Sequence, residues 1–295
     1  MKIVKTGKYT LNDLDILQEI QPIEFAQRTS LKRLNYLLSF IKENKPEILP
    51  KFVSNLTAKY NTMIKKDHFE SKELDLSEIC SNLVNLQEYP KLVASCLNYF
   101  IQLLQLSGDV DWIKDKVKIP NKNYIQSFLY LRYYNALVLT ETLGRETAIQ
   151  FYKDYIENYV KDGRSLEATT FENLEVFRES IIQRNLESPG IGWAIVQGKI
   201  ENGKFPQRKD TCMWDDAIND LPDVELKYLA ACYGDFQGYN NRNENFILTM
   251  KHTIIEGHPY CDCVVHDIRI NNDLRHPTKE FFDNMWPLDE GEGKN

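Results

Sequence analysis

Residues 192–210 read Gly-Trp-Ala-Ile-Val-Gln-Gly-Lys-Ile-Glu-Asn-Gly-Lys-Phe-Pro-Gln-Arg-Lys-Asp. In this stretch the hydrophobic period changes to two, and Asn202-Gly203 separates two runs of strand character. Asn-Gly signals a hairpin because both central residues of a type I′ turn need positive φ. The reading is a hairpin with arms 192–200 and 204–210. A second pair of strands, 246–255 and 260–269, brackets the turn Glu256-Gly257-His258-Pro259. On the first of these, Phe246, Leu248, Met250, His252 and Ile254 fall on one face. On the second, Cys261, Cys263, Val265 and Asp267 share a face, and Asp262, Val264, His266 and Ile268 take the other. A short helix at 223–233 lies between the hairpins, with Val224, Leu226, Leu229 and Ala230 inward. The class is therefore α+β, with helices packed on a small antiparallel sheet.

Upstream, the period is helical almost throughout. Thr10 can cap a helix over 11–20, with Leu14, Ile16, Leu17 and Ile20 on one face. Helices follow at 30–43, where Leu31, Leu34, Leu37, Leu38 and Ile41 are spaced for one face, at 47–64, and after Pro90, a favoured first helical residue. The last carries Leu92, Val93, Cys96, Leu97, Phe100, Ile101, Leu103 and Leu104 with little polar face left, which places it centrally. Residues 108–123 are loop chemistry around Trp112. Helical spacing returns at 124–143, closed by Gly144, at 146–161, and from about Thr170, with Phe171, Leu174, Phe177 and Ile181 inward. These shifts divide the chain into an N-terminal helical bundle over 1–123, an α+β domain over 124–270 and a C-terminal extension over 271–295, whose last residues, 288–295, read as a frayed acidic tail.

The chain has 295 residues and a net charge of −7, with 43 acidic and 36 basic residues and 42% hydrophobic residues. That size and composition support a real core and argue against disorder. The acidic balance, with no long Lys/Arg run, speaks against a nucleic-acid partner. No apolar stretch is long enough for a membrane span, and the first residues carry no apolar leader, so the expected location is the cytoplasm. Four of the six cysteines, Cys212, Cys232, Cys261 and Cys263, fall in the C-terminal third and read as thiols rather than disulfides.

Phosphate loops, dinucleotide glycine fingerprints, Gly-x-Ser-x-Gly elbows and paired-His zinc helices are all missing from the sequence. What can carry chemistry is Cys212, then Cys232-Tyr233-Gly234-Asp235, then 256–263 with its Cys-Asp-Cys. The cysteine intervals match no zinc ribbon or finger. A thiolate activated by a nearby base is a strong nucleophile, whereas a free cysteine is also among the most buried residue types. Both readings stay open for Cys212, Cys232 and Cys261, while Cys80 and Cys96 read as core. His258, three residues before Cys261, is placed to act as a base, and His252 reads as a hydrogen-bonded core residue. His266 points away from Cys261, and His68 and His276 carry no signal. Asp235 can serve as an acid–base group or as an exposed helix-end carboxylate.

Three segments together resemble the L-2-amino-thiazoline-4-carboxylic acid hydrolase-like family. They are Arg132-Tyr133-Tyr134-Asn135-Ala136-Leu137 through Leu143-Gly144-Arg145-Glu146-Thr147-Ala148, then Cys232-Tyr233-Gly234-Asp235, and then 253–262, ending Glu256-Gly257-His258-Pro259-Tyr260-Cys261-Asp262. The resemblance covers about residues 124–270. Cys263 stands where the family pattern has an aromatic residue, and the N-terminal helices lie outside the likeness. The resemblance implies hydrolysis of a carbon–nitrogen bond in a small cyclic amidine, opening a thiazoline to an N-carbamoyl cysteine. Cys261 would then be the nucleophile, with His258 or Asp235 handling the proton, and Cys232, Tyr260, Asp262 and Cys263 around the substrate. No cofactor is required, although a variant lets Cys232, Asp235 and Cys261 hold a divalent metal that activates water. The alternatives are a small-molecule-binding or regulatory protein, using the same domain without catalysis and its N-terminal helices for homodimerisation, and a metal-dependent biosynthetic or oxidative enzyme.

Overall fold

The computed structural model of the chain describes residues 3–65, 74–106, 110–164, 169–187 and 192–285. His68 and the acidic tail at 288–295 lie outside the described residues. The chain divides into a helical unit, Leu14–Tyr159 with Leu229–Ala231, and an α+β unit, Met1–Asp13, Val160–Tyr228 and Cys232–Asn295. The boundary expected at residue 123 thus moves to about residue 159. The reason is packing: the Asn121–Leu143 helix lies against both the Leu49–Met63 and Pro90–Leu104 helices, so it completes the bundle instead of opening the next domain.

In the helical unit, Leu34, Leu37, Leu38 and Ile41 of the Lys32–Asn44 helix are buried, as are Phe52, Leu56 and Tyr60 of Leu49–Met63. Nearly every apolar side chain of Pro90–Leu104 is also buried, as its narrow polar face anticipates. Tyr60 donates to Asn135 Oδ1 at 2.7 Å, so a buried hydroxyl is satisfied across the bundle. The helix anticipated at 11–20 is a correction. Leu11–Asp15 is a 3-10 turn, and Leu17–Ile20 is strand β2, paired antiparallel with β3 (Val117–Pro120) inside the segment read as loop. Of the anticipated stripe, Ile16 and Leu17 are exposed and only Ile20 is buried, so the four residues do not share a core-facing side.

The α+β unit is built on a five-stranded antiparallel sheet of β1 (Val4–Thr6), β4 (Ile195–Gln197), β5 (Lys204–Lys209), β6 (Phe246–Met250) and β7 (Cys261–Asp267), in the order β1-β4-β5-β7-β6. The class expected from the sequence, α+β, is the class observed. Asn202 and Gly203 have φ of 51° and 70°, the left-handed pair of a type I′ turn. Pro206 sits within the central strand β5 and has no N–H to give. The Gly198 N–H donates to the Pro206 carbonyl at 2.9 Å, and the Gly198 carbonyl takes the Arg178 Nε at 3.2 Å instead. A Cβ at position 198 would lie 2.6 Å from the Pro206 ring, so glycine is needed there.

Strand β6 is shorter than the sequence suggests. After Met250 the chain leaves the ladder because the Asp262 carboxylate accepts the N–H groups of Lys251 and His252, at 2.7 and 2.8 Å. A 3-10 turn, Ile254–Glu256, capped by the Thr253 hydroxyl, then leads into Gly257 at φ 86°. The two sheet faces bury different cores. One gathers Phe205, Phe246, Leu248, Cys261, Cys263 and Val265 against Leu174, Phe177 and Ile181 of the Leu174–Glu187 helix. The other gathers Val196, Tyr260 and Val264 against Phe282 and Met285 of the Lys279–Met285 helix. The segment expected as a C-terminal extension therefore closes a core. Among the described residues no helix is long and apolar enough to cross a membrane.

Candidate functional site

The alternation of β7 divides the chemistry-bearing residues between the two faces. On the first, Lys209 of β5 is the register partner of Cys261, and Gln207 that of Cys263. Lys209 keeps 13% of its side chain exposed, and its ammonium lies 3.7 Å from Asp235 Oδ2 at the start of the Asp235–Asn240 helix and 5.5 Å from the Trp193 ring centre. Burial opposes the Lys209 charge, but Cys263, Tyr239, Asp235 and Cys261 around it outweigh this and hold its pKa above the ordinary lysine value. Cys261 Sγ accepts the Ile254 N–H at 3.3 Å, the kind of contact that favours a thiolate.

Burial dominates the thiols. It pushes Cys261 and Cys232 well above the usual cysteine value and Cys263 up to about 11, and it raises Cys212 as well. The charge of Lys209 acts in the opposite sense on all four. Cys212, Cys232, Cys261 and Cys263 are therefore protonated thiols at neutral pH, grouped around one ammonium. All six cysteines are free.

The second face carries a histidine–carboxylate chain. His252 Nδ1 lies 2.5 Å from Asp262 Oδ2, and His276 Nε2 lies 3.2 Å from the same oxygen, close enough for charge pairing but off the line of a good hydrogen bond. The Thr249 hydroxyl is 2.8 Å from both His276 Nδ1 and His266 Nε2. Burial works against the Asp262 charge, but His276, His252 and the two backbone donors outweigh it and bring its pKa down to about 2. Burial, helped by Lys204 and His276, brings His266 down to about 4. With Asp262 ionised, His252 carries its proton on Nδ1, and the Thr249 hydroxyl donates to one of His276 Nδ1 and His266 Nε2 while accepting from the other.

The site expected from the sequence is thus divided by the sheet. Cys261, Cys263, Cys232 and Asp235 share the Lys209 face. Asp262 belongs to the histidine chain, and Tyr260 donates to Asp283 Oδ1 at 2.6 Å, tying β7 to the C-terminal helix. His258 is exposed. No hydrogen bond joins it to Cys261 among the described residues, and its ring stands edge-on to His252, 4.5 Å between centres. His252 does not occupy the apolar face anticipated for it, because the chain has already left the ladder when it reaches that residue. Lys209 and His276 were missed. Strand alternation and the 204–210 arm could have flagged Lys209 opposite Cys261, but nothing local marks His276, which reaches Asp262 and stacks on Phe282 only through the return of the C-terminal segment. Among the described residues no group of three or more His, Cys, Asp or Glu side chains is placed to hold a metal ion. No family model, curated protein or solved structure matches the chain.

Proposed function

We propose that the protein is an enzyme of the L-2-amino-thiazoline-4-carboxylic acid hydrolase-like kind, opening a small cyclic amidine by thiol catalysis on the Lys209 face. The observation that carries the reading is the pairing of Cys261 with Lys209 across β5 and β7, with Asp235 in ion-pair reach of that ammonium. An amidine carbon becomes electrophilic when its ring nitrogen gains a proton. In the proposed step the Cys261 proton passes to that nitrogen, with the Lys209–Asp235 pair as the relay, while the Cys261 sulfur bonds to carbon. The adduct expels one ring atom, and water then displaces Cys261 as a free thiol. Loss of the ring nitrogen leaves the carbamoyl group on sulfur, whereas loss of the ring sulfur gives an N-carbamoyl cysteine. The carbon–nitrogen assignment therefore corresponds to the S-carbamoyl product. His258 has no part in this version.

Ring opening of 2-amino-thiazoline-4-carboxylate, followed by the appearance of urea-type or thiocarbamate product, tests the proposal. Cys261→Ala should abolish turnover with the fold intact, and full activity in that variant would end it. A second reading keeps the face as a ligand-binding site without catalysis, and the raised thiol pKa values favour it, because a protonated thiol is a poor nucleophile. Under that reading the amidine binds to wild type and to Cys261→Ala alike, without turnover.

A further inference from the structure

On the sheet face away from Cys261, His252 and His258 belong to a chain segment fixed at several points. The His258 N–H donates to the Thr253 carbonyl and the Asp262 N–H to the His252 carbonyl, each at 3.1 Å. The Thr253 hydroxyl closes the intervening 3-10 turn, accepting from the Glu256 N–H and donating to the Glu256 carboxylate at 2.7 Å. The two imidazoles are thereby held on one rigid loop, six residues apart in sequence and 4.5 Å apart at their ring centres, with an interplanar angle of 76°.

We propose that His252 and His258 form a binding site for a divalent transition-metal ion, with Asp262 as the carboxylate that orients the first ligand. The Nδ1 proton of His252 is committed to the buried Asp262, so its Nε2 lone pair is the one left to coordinate. Carboxylate–histidine–metal triads use this arrangement, in which the outer carboxylate fixes the tautomer and raises the basicity of the ligand. Asp262 is itself held by two backbone donors and stays ionised across the physiological range. The His258 ring is exposed and makes no hydrogen bond among the described residues, so turning it onto a metal breaks none.

The spacing suits two cis ligands. A ligated imidazole centre lies about 3.2 Å from a metal held by a bond of about 2.1 Å. Two such rings stand about 4.5 Å apart at a right angle and about 5.2 Å apart at the tetrahedral angle. The observed separation lies within the span that two cis ligands of one metal can bridge once the His258 ring turns a nitrogen toward it, and nickel(II) and copper(II) accept nitrogen ligands at a right angle. No third His, Cys, Asp or Glu is in ligating reach among the described residues, so water completes the shell. The site stands apart from the Lys209 face and does not depend on the activity proposed there.

Nickel(II) titrated calorimetrically into the full chain is the test, since it does not oxidise the thiols. Wild type should take up one equivalent. His252→Gln and His258→Gln should each weaken binding at least tenfold, and Asp262→Asn should weaken it between tenfold and a hundredfold. Circular dichroism confirms that the two histidine variants are folded, and they decide the matter even if Asp262→Asn is not. Imidazole-bound nickel should show no sulfur-to-metal charge-transfer band in the near ultraviolet. Unchanged affinity in both histidine variants would overturn the proposal, and so would a strong charge-transfer band that disappears in Cys261→Ala or Cys263→Ala.

Discussion

The two faces of the five-stranded sheet begin from the same strands and end in opposite electrostatics. On the Lys209 face, thiols, an ammonium and an exposed carboxylate stand at the margin of an aromatic core, and burial keeps the cysteines protonated. On the Asp262 face, a carboxylate is held ionised inside the fold by two backbone N–H groups and two imidazoles. The difference teaches where polarity is structural and where it is available. A buried charge held by three hydrogen bonds is part of the architecture, whereas a charge with one loose partner at 3.7 Å can be redirected to a ligand.

The largest expected loss tests the apolar part of that contrast. Phe205→Ala removes a fully buried ring from the Lys209 face and should cost about 3–5 kcal/mol in urea unfolding. Phe282→Ala, which opens the smaller second core, should cost less because fewer buried neighbours surround it. A larger loss at Phe282 would reverse the ranking of the two cores.

Asp262→Ala comes next, at about 3 kcal/mol, because two backbone donors and His252 lose their acceptor inside the protein. The same carboxylate sets an acid limit. Its pKa of about 2 lies below the value of about 3.9 for an unfolded aspartate, so its contribution is complete above about pH 4 and disappears as pH falls toward 2. Unfolding measured from pH 5 to 2 should show a loss on the order of 2 kcal/mol that Asp262→Ala lacks. An equal acid loss in the variant would assign it to other carboxylates.

Gly203→Ala should cost about 1–2 kcal/mol, since position 203 has φ 70° and a Cβ there would lie 2.9 Å from the Ile270 Cβ. Lys209→Met should change stability least, under about 1 kcal/mol, because Asp235 is 45% exposed and water can replace its partner. Its effect belongs to the thiols. Without the ammonium, Cys261 and Cys263 should titrate at higher pH and react more slowly with iodoacetamide at pH 9. Unchanged alkylation would remove Lys209 from any role in thiol chemistry.

Which parts were legible in advance follows from what each signal needs. The Asn202-Gly203 hairpin, the face shared by Cys261, Cys263 and Val265, and the core helix Pro90–Leu104 rest on local conformation or on periodicity, which the chain carries in itself. The pairing of β2 with β3, the bundle role of Asn121–Leu143 and the arrival of His276 beside Asp262 rest on segments distant in sequence. Residues 11–20 carry a helical spacing of apolar groups, and pairing with a strand a hundred residues away overrides it. In the candidate site, Cys232, Asp235, Cys261 and Cys263 were visible as residue types, while Lys209 had no motif around it.

The sequence alone determined the α+β class, the hairpin turn and the alternation that separates Cys261 from Asp262, because φ preferences and a two-residue period are properties of the chain itself. Only the tertiary structure decided what each face became. Register placed Lys209 opposite Cys261, and the returning C-terminal segment placed His276 against Asp262. Burial then set the protonation of both groups, since the energy of a charge depends on the neighbours that replace water, and those neighbours are chosen by folding.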